Sequence, residues 1–185
     1  MTRRIVAIGG TVRPGSSTER SLALAAAEAE RQGAVITLYG GAYIAGLPHY
    51  RGPDWTPDKG REMIEALRSA DGVLLATPGY HGTVSGMVKN AIDYLEELAD
   101  DQRPYLSGRP VGLIATAWGH QAANSSMTTL RTIAHALRGW PTPFGAALRI
   151  DPTTFAPDGS LTDPGIADQL VLVGRQVGQA AGRLG

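Results

Sequence analysis

A chain of 185 residues that is 43% hydrophobic and carries no low-complexity tract suffices for one well-buried domain and is short for two. Seventeen basic residues balance seventeen acidic ones, so the charge favours neither nucleic acid nor an anionic membrane surface as a partner. The lack of cysteine removes disulfides, thiolate metal sites and a cysteine nucleophile, which leaves a small-molecule ligand as the natural partner.

The first four residues lead into an apolar run at 5–8 that ends in Gly9-Gly10, too short for a secretory leader or a membrane span. A cytoplasmic protein with a single domain over residues 1–185 is expected. Residues 4–8 read as a strand buried on both faces of a parallel sheet. The stretch Gly9-Gly10-Thr11-Val12-Arg13-Pro14-Gly15-Ser16-Ser17-Thr18 then has the makings of a phosphate cradle. Its glycines allow sharp turns, its hydroxyls donate hydrogen bonds, Arg13 brings positive charge, and the helix that follows offers unpaired N–H groups. Ser16-x-x-Glu19 is also a capping-box spacing, so the same letters fit a loop that merely starts a helix. Gly10 and Gly15 have Walker A spacing, but Ser16 stands where the lysine belongs, which speaks against a triphosphate. With no G-x-G-x-x-G either, a phosphomonoester such as that of FMN fits better.

Residues 18–32, rich in Ala, Leu and Glu, read as a helix capped by Gly33, and 34–39 as a second strand. Residues 40–57 are irregular, with Tyr43, His49, Tyr50 and Trp55 available to wall a flat ligand or to meet a partner chain. Residues 58–69 have helical spacing of Met63, Ile64 and Leu67. A third strand at 71–77 is stopped by Pro78-Gly79, and a glycine-rich turn leads into a helix at 85–99. A fourth strand at 111–117 opens into small residues before a helix at 122–137. A fifth strand at 144–150, a loop at 151–164 and a helix at 166–184 complete the chain. Five strands alternating with five helices imply right-handed crossovers and a parallel sheet covered on both faces. Ligands of such sheets bind beyond the carboxyl ends of the strands, where loops 9–18, 77–83 and 116–121 converge.

Over about residues 4–150 the chain resembles the NAD(P)H-dependent FMN reductase family of flavodoxin-like proteins. One motif is Gly10-Thr-Val-Arg13-Pro-Gly-Ser16-Ser-Thr18, similar to the family's G-S-x-R-x-x-S-x-N loop with Thr11 for Ser and Thr18 for Asn. The more specific one runs from Thr77-Pro-Gly-Tyr80-His-Gly82 through Gly86 to Lys89-Asn90 and Asp93, close to T-P-x-Y-x-G-x-x-x-G-x-x-K-N-x-x-D. The resemblance implies an α/β flavodoxin-like three-layer sandwich with a five-stranded parallel sheet in order 2-1-3-4-5. It places the FMN phosphate on Thr11, Arg13, Ser16, Ser17 and Thr18. It lays the ring along Pro78, Gly79, Tyr80, His81 and Gly82, with Thr116, Trp118, Gly119 and His120 at the other edge. Where many relatives carry P-E-Y-N, this chain has Pro78-Gly79-Tyr80-His81, so backbone contacts transfer and side-chain contacts at the second and fourth positions do not.

The implied activity is hydride transfer from NADPH or NADH to FMN, in a homodimer or homotetramer, with reduced flavin passed to a flavin-dependent monooxygenase. An alternative keeps FMN bound and reduces quinones, azo dyes or metal oxyanions. A flavodoxin-type electron carrier is a third reading, opposed by the zero net charge, since carriers are acidic to dock basic partners. Hydride transfer to a flavin needs stacking rather than a protein acid or base, so no catalytic side chain is expected, and the four scattered histidines make no spaced metal site. Lys89, Asn90 and Asp93, on the helix after the site, read as structural.

Overall fold

The computed structural model describes residues 2–183. Strand β1 (Arg3–Gly9) is followed by α1 (Ser17–Arg31) and β2 (Ala34–Tyr39). After a short α2 (Gly41–Ala45) come α3 (Asp58–Arg68) and the long β3 (Gly72–Tyr80), which folds back on a two-residue β4 (Thr83–Val84). Helix α4 (Gly86–Asp93) tightens into a 3-10 turn at Tyr94–Leu98. Then follow β5 (Pro110–Ala117), α5 (His120–Ala136), β6 (Trp140–Pro141), β7 (Ala146–Arg149) and α6 (Pro164–Ala180).

The parallel sheet runs β2-β1-β3-β5, and its fifth position is shared by β6 and β7, both parallel to β5. This is the expected flavodoxin-like order with its last strand split. Pro141 and Pro143 explain the split, because proline has no N–H to offer a ladder. Side chains alternate between the two faces. Val6, Ile8, Val73, Leu75 and Leu113 pack under α3, α4 and α5, whereas Ile5, Ala7, Leu74, Ala76 and Ile114 pack under α1 and α6.

Several boundaries differ from the sequence reading, each for a local reason. Strand β3 continues through Pro78-Gly79 to Tyr80. Its neighbour β1 ends at Gly9 opposite Ala76, so at Pro78 the strand is paired on one side only, a position that tolerates proline. Helix α6 begins at Pro164, two residues early, because the Asp163 carboxylate accepts from Gly165 N at 2.8 Å and proline suits the first helical position. Its expected end at Leu184 lies outside the described residues.

The aromatic loop at 40–57 turns inward. Tyr43 packs on Tyr39 and Tyr50 on Tyr94, with ring centroids 4.5 and 5.2 Å apart. Asn90 clamps the loop, accepting from Tyr50 N at 2.9 Å and donating to Pro48 O at 3.0 Å. Burial and the Glu97 carboxylate push the Tyr50 phenol up to about 12. Tyr43 and Tyr50 therefore serve the core rather than a ligand wall, while Trp55 stays exposed beneath the Arg51 guanidinium. Lys89 pairs with Asp93 one turn along, as their i,i+4 spacing leads one to expect.

Helix α1 meets α6 at the buried Glu28. Its carboxylate accepts from Arg31 Nε and Gln32 Nε2, both at 2.8 Å, and lies 3.6 Å from Arg175 Nε. The bond from Arg31, above all, holds this carboxyl below its ordinary 4.5 despite the opposing effect of burial. A carboxyl with a lowered folded-state pKa contributes stability that is complete above 4.5 and is lost as pH falls through the folded value. Urea unfolding of Glu28→Gln should accordingly show a shallower loss of stability below pH 4.5 than the parent chain; parallel profiles would exclude this coupling.

Candidate functional site

At the carboxyl ends of β1, β3 and β5 lies a cleft of about 480 Å³, bounded by the loop before α1, the end of β3 and the turn into α5. The first of these walls is held from within. Ser16 caps α1, its Oγ accepting from Glu19 N at 3.3 Å, so the N–H groups of Ser17 and Thr18 stand in the first turn without intrahelical acceptors. Thr11 Oγ1 accepts from Arg13 N at 3.2 Å and closes a tight turn. Glu19 ties the loop down, since its two carboxylate oxygens accept from Gly15 N at 3.0 Å and from Gly41 N at 3.1 Å. The capping-box carboxylate thus reaches one residue beyond the cap and bridges to α2. The loop starts a helix, as the capping-box spacing leads one to expect, and Thr11, Arg13, Ser16, Ser17 and Thr18 line one cavity.

The second wall is the β3–β4 hairpin. Tyr80 pairs with Thr83 across a two-residue turn at His81-Gly82, where φ is +50° and +86°. Two consecutive left-handed residues make the type I′ turn that matches strand twist, and glycine at 82 follows from it. Thr77 fastens the base of the hairpin: its buried Oγ1 accepts from Ser85 N at 3.0 Å and donates to Pro78 O at 2.9 Å, while Ser85 caps α4 through Val88 N. Gly79 is set by close approach, because a Cβ there would stand 2.7 Å from Ser126 Oγ on α5. That contact, with Ala122 O at 3.1 Å, accounts for glycine at this position.

The third wall is joined to the first by a buried hydrogen bond of 2.7 Å between the hydroxyls of Thr18 and Thr116. Beyond it the chain exposes Trp118, 82% accessible, which faces the cavity rim together with Tyr80 at 52%. Two large aromatic rings are thus left uncovered at the mouth of the cleft.

Of the residues expected to bind, Thr11, Arg13, Ser16, Ser17, Thr18, Pro78, Gly79, Tyr80, Thr116, Trp118 and Gly119 are brought together around this cavity. His81, Gly82 and His120 are not: the first two form the exposed hairpin tip and His120 opens α5 at the surface. Val12, Ala117, Ala122 and Ile150 line it without having been singled out, and Glu19 braces its first wall from outside the lining. Glu19 was legible as half of a capping box; the apolar four carry no signal of their own.

The chain matches the model of the NADPH-dependent FMN reductase family over residues 3–149. It is 32% identical over 101 residues to an FMN-dependent NADPH-azoreductase of Staphylococcus haemolyticus, covering 55% of this chain and 50% of that one. The corresponding enzyme of Staphylococcus aureus strain USA300 is 35% identical over 83 residues, 45% of this chain and 40% of the other. The matched stretch thus spans about half the length of these curated relatives, or less. Among solved structures, the FerB flavoenzyme NAD(P)H:(acceptor) oxidoreductase of Paracoccus denitrificans superposes with a TM-score of 0.77 at 21% identity, covering 97% of this chain and 100% of its own. The apo NADH:FMN oxidoreductase EMOB superposes with 0.75 at 22% identity, covering 97% and 90%. At such identities the two structures establish the flavodoxin-like fold, and the family match carries the rest: the chain belongs to the NADPH-dependent FMN reductase family.

Proposed function

We propose that the protein is an NAD(P)H-dependent FMN oxidoreductase. The observation that carries this reading is the union, in one cavity of about 480 Å³, of a capped phosphate-type loop with an aromatic-rimmed slot. The loop hydroxyls, the amides of Ser17 and Thr18 and the Arg13 guanidinium suit a dianionic phosphomonoester. The backbone at Pro78 and Gly79 and the turn at Thr116–Gly119 suit the polar edge of a flat ring, with Tyr80 and Trp118 alongside. A bound flavin supplies the hydride-accepting chemistry. The chain's own part is to fix the ring against a fixed phosphate and to leave one ring face open to a nicotinamide.

Anaerobic mixing of the purified protein with FMN and NADPH or NADH should bleach the flavin absorbance, and no bleaching with either nucleotide would defeat the proposal. FMN should also bind more tightly than riboflavin, because the best-built wall of the cleft addresses the phosphate; equal affinities by fluorescence quenching would remove the phosphate role of that wall.

Reduction of an azo acceptor by retained flavin is a second reading, favoured by the names of the staphylococcal relatives. Flavin that survives gel filtration and supports NADPH-driven decolouration of an azo dye would select it. We further infer a homo-oligomer, supported by the exposed Trp118 and Trp140, and light scattering at micromolar concentration should give a mass above 19.4 kDa. Among the described residues no helix is long and apolar enough to cross a membrane.

A further inference from the structure

A second groove, of about 650 Å³, opens on the other side of the phosphate loop, and Arg13 and Ser17 line both cavities. Its far wall is the chain that follows β7. This wall is well built: Phe155 and Leu161 bridge antiparallel, Thr162 Oγ1 donates to Thr153 O at 2.9 Å, and Thr154 Oγ1 accepts from Asp151 N at 2.9 Å.

The lining has a specific chemistry. Arg13 and Arg20 bring two guanidinium groups, and neither makes an ion pair with a carboxylate among the described residues. The one carboxylate of the groove among the described residues, Asp151, is taken up by Thr153 N at 2.9 Å, Thr153 Oγ1 at 2.7 Å and Arg149 at 3.4 Å. Arg20 lies 5.4 Å over the Phe155 ring, which holds the guanidinium in place. Anion-seeking forks beside an aromatic ring and two prolines, Pro152 and Pro157, suit a ligand with both a phosphate and a flat heterocycle. The groove adjoins the phosphate end of the first cleft and not its ring end, since Tyr80, Trp118 and Gly119 line the first cleft alone.

We propose that this groove binds the phosphorylated adenosine half of a dinucleotide. Two sources share that chemistry, the AMP half of FAD and the adenosine end of NAD(P)H. The inference rests on the flavin reading of the neighbouring cleft for its biological sense, and on Arg13, Arg20 and Phe155 for its chemistry.

The test is a calorimetric titration of ADP into FMN-saturated protein. Saturable binding is expected, weakened about 10- to 150-fold in Arg20→Ala, the range set by losing a hydrogen bond to a charged group. Phe155→Ala should weaken ADP as well. Retention of FMN affinity in both variants shows that the fold and the first cleft are intact. No saturable ADP binding at millimolar concentration, or the same ADP affinity in Arg20→Ala, overturns the proposal. ADP that competes with NADPH identifies the nicotinamide nucleotide as the source. FAD that binds more tightly than FMN, with the advantage abolished by Arg20→Ala, identifies the flavin. Titration of ADP into the ligand-free protein separates the two readings: ADP binding without FMN binding upholds the groove and defeats the flavin site, and the converse defeats the groove alone.

Discussion

Replacing Arg109 by methionine should lower the unfolding free energy by about 3 kcal/mol, the lower end of what breaking a buried charged network costs. Arg109 is 1% exposed, yet its guanidinium bonds three backbone carbonyls: Arg68 O and Ala70 O at 2.9 Å and Tyr105 O at 2.7 Å. Two of these close the end of α3, whose last carbonyls have no helical donors. The third secures the turn before β5. Burial, with Arg103 nearby, pulls this guanidinium down to about 10, which still leaves it charged at neutral pH. Methionine fills much of the volume and removes the cost of burying a charge, but it leaves the half-buried Arg68 and Tyr105 carbonyls without this donor and Ala70 O with Arg103 Nη1 alone at 3.3 Å, at about 1–3 kcal/mol for each carbonyl that is fully desolvated. The second effect wins because Arg109 is shut off from water and three carbonyls lose their best donor at once. For a domain of this size about 2–4 °C of melting temperature accompanies each kcal/mol, so the midpoint should fall by roughly 6–12 °C. A variant that melts with the parent would show that water replaces the guanidinium, and the role assigned to it would fail.

Nothing in the sequence marks Arg109 as a core residue, and the reason lies in what sequence can show. The strands β1, β3 and β5 were legible because each buried run is continuous and bounded by glycine or proline. The phosphate-type loop was legible because glycine, hydroxyl and arginine letters cluster in one short span. The hairpin was not: a proline and a glycine inside β3 read as a stop, and only the end of β1 opposite Ala76 makes them tolerable there. The left-handed backbone of His81 and Gly82, which makes them the hairpin turn, was likewise not legible from their place in a motif. The inward packing of Tyr43 and Tyr50 depends on Tyr39, Asn90 and Tyr94, partners between 4 and 44 positions away, which local pattern does not reveal.

Arg13→Ala should weaken FMN binding by about 10- to 150-fold, the equivalent of roughly 1.5–3 kcal/mol for a hydrogen bond to a charged group. Among the described residues, Arg13 is the only cation lining the first cleft and its guanidinium has no carboxylate partner. Its position is defined by the backbone turn at Thr11 and by Ser16 N donating to Arg13 O at 3.2 Å, so the side chain starts from a fixed root even though its tip is exposed. Riboflavin, which lacks the phosphate, should bind the variant and the parent almost alike, and this contrast assigns the loss to charge recognition rather than to a collapsed cleft. Arg20→Ala serves as the companion measurement. Because Arg20 lines the second groove alone, its loss should weaken ADP and spare FMN, whereas the loss of Arg13, common to both cavities, should weaken each ligand. FMN affinity that survives Arg13→Ala would move the phosphate onto the amides and hydroxyls of Ser16, Ser17 and Thr18, and would leave Arg13 to the second groove.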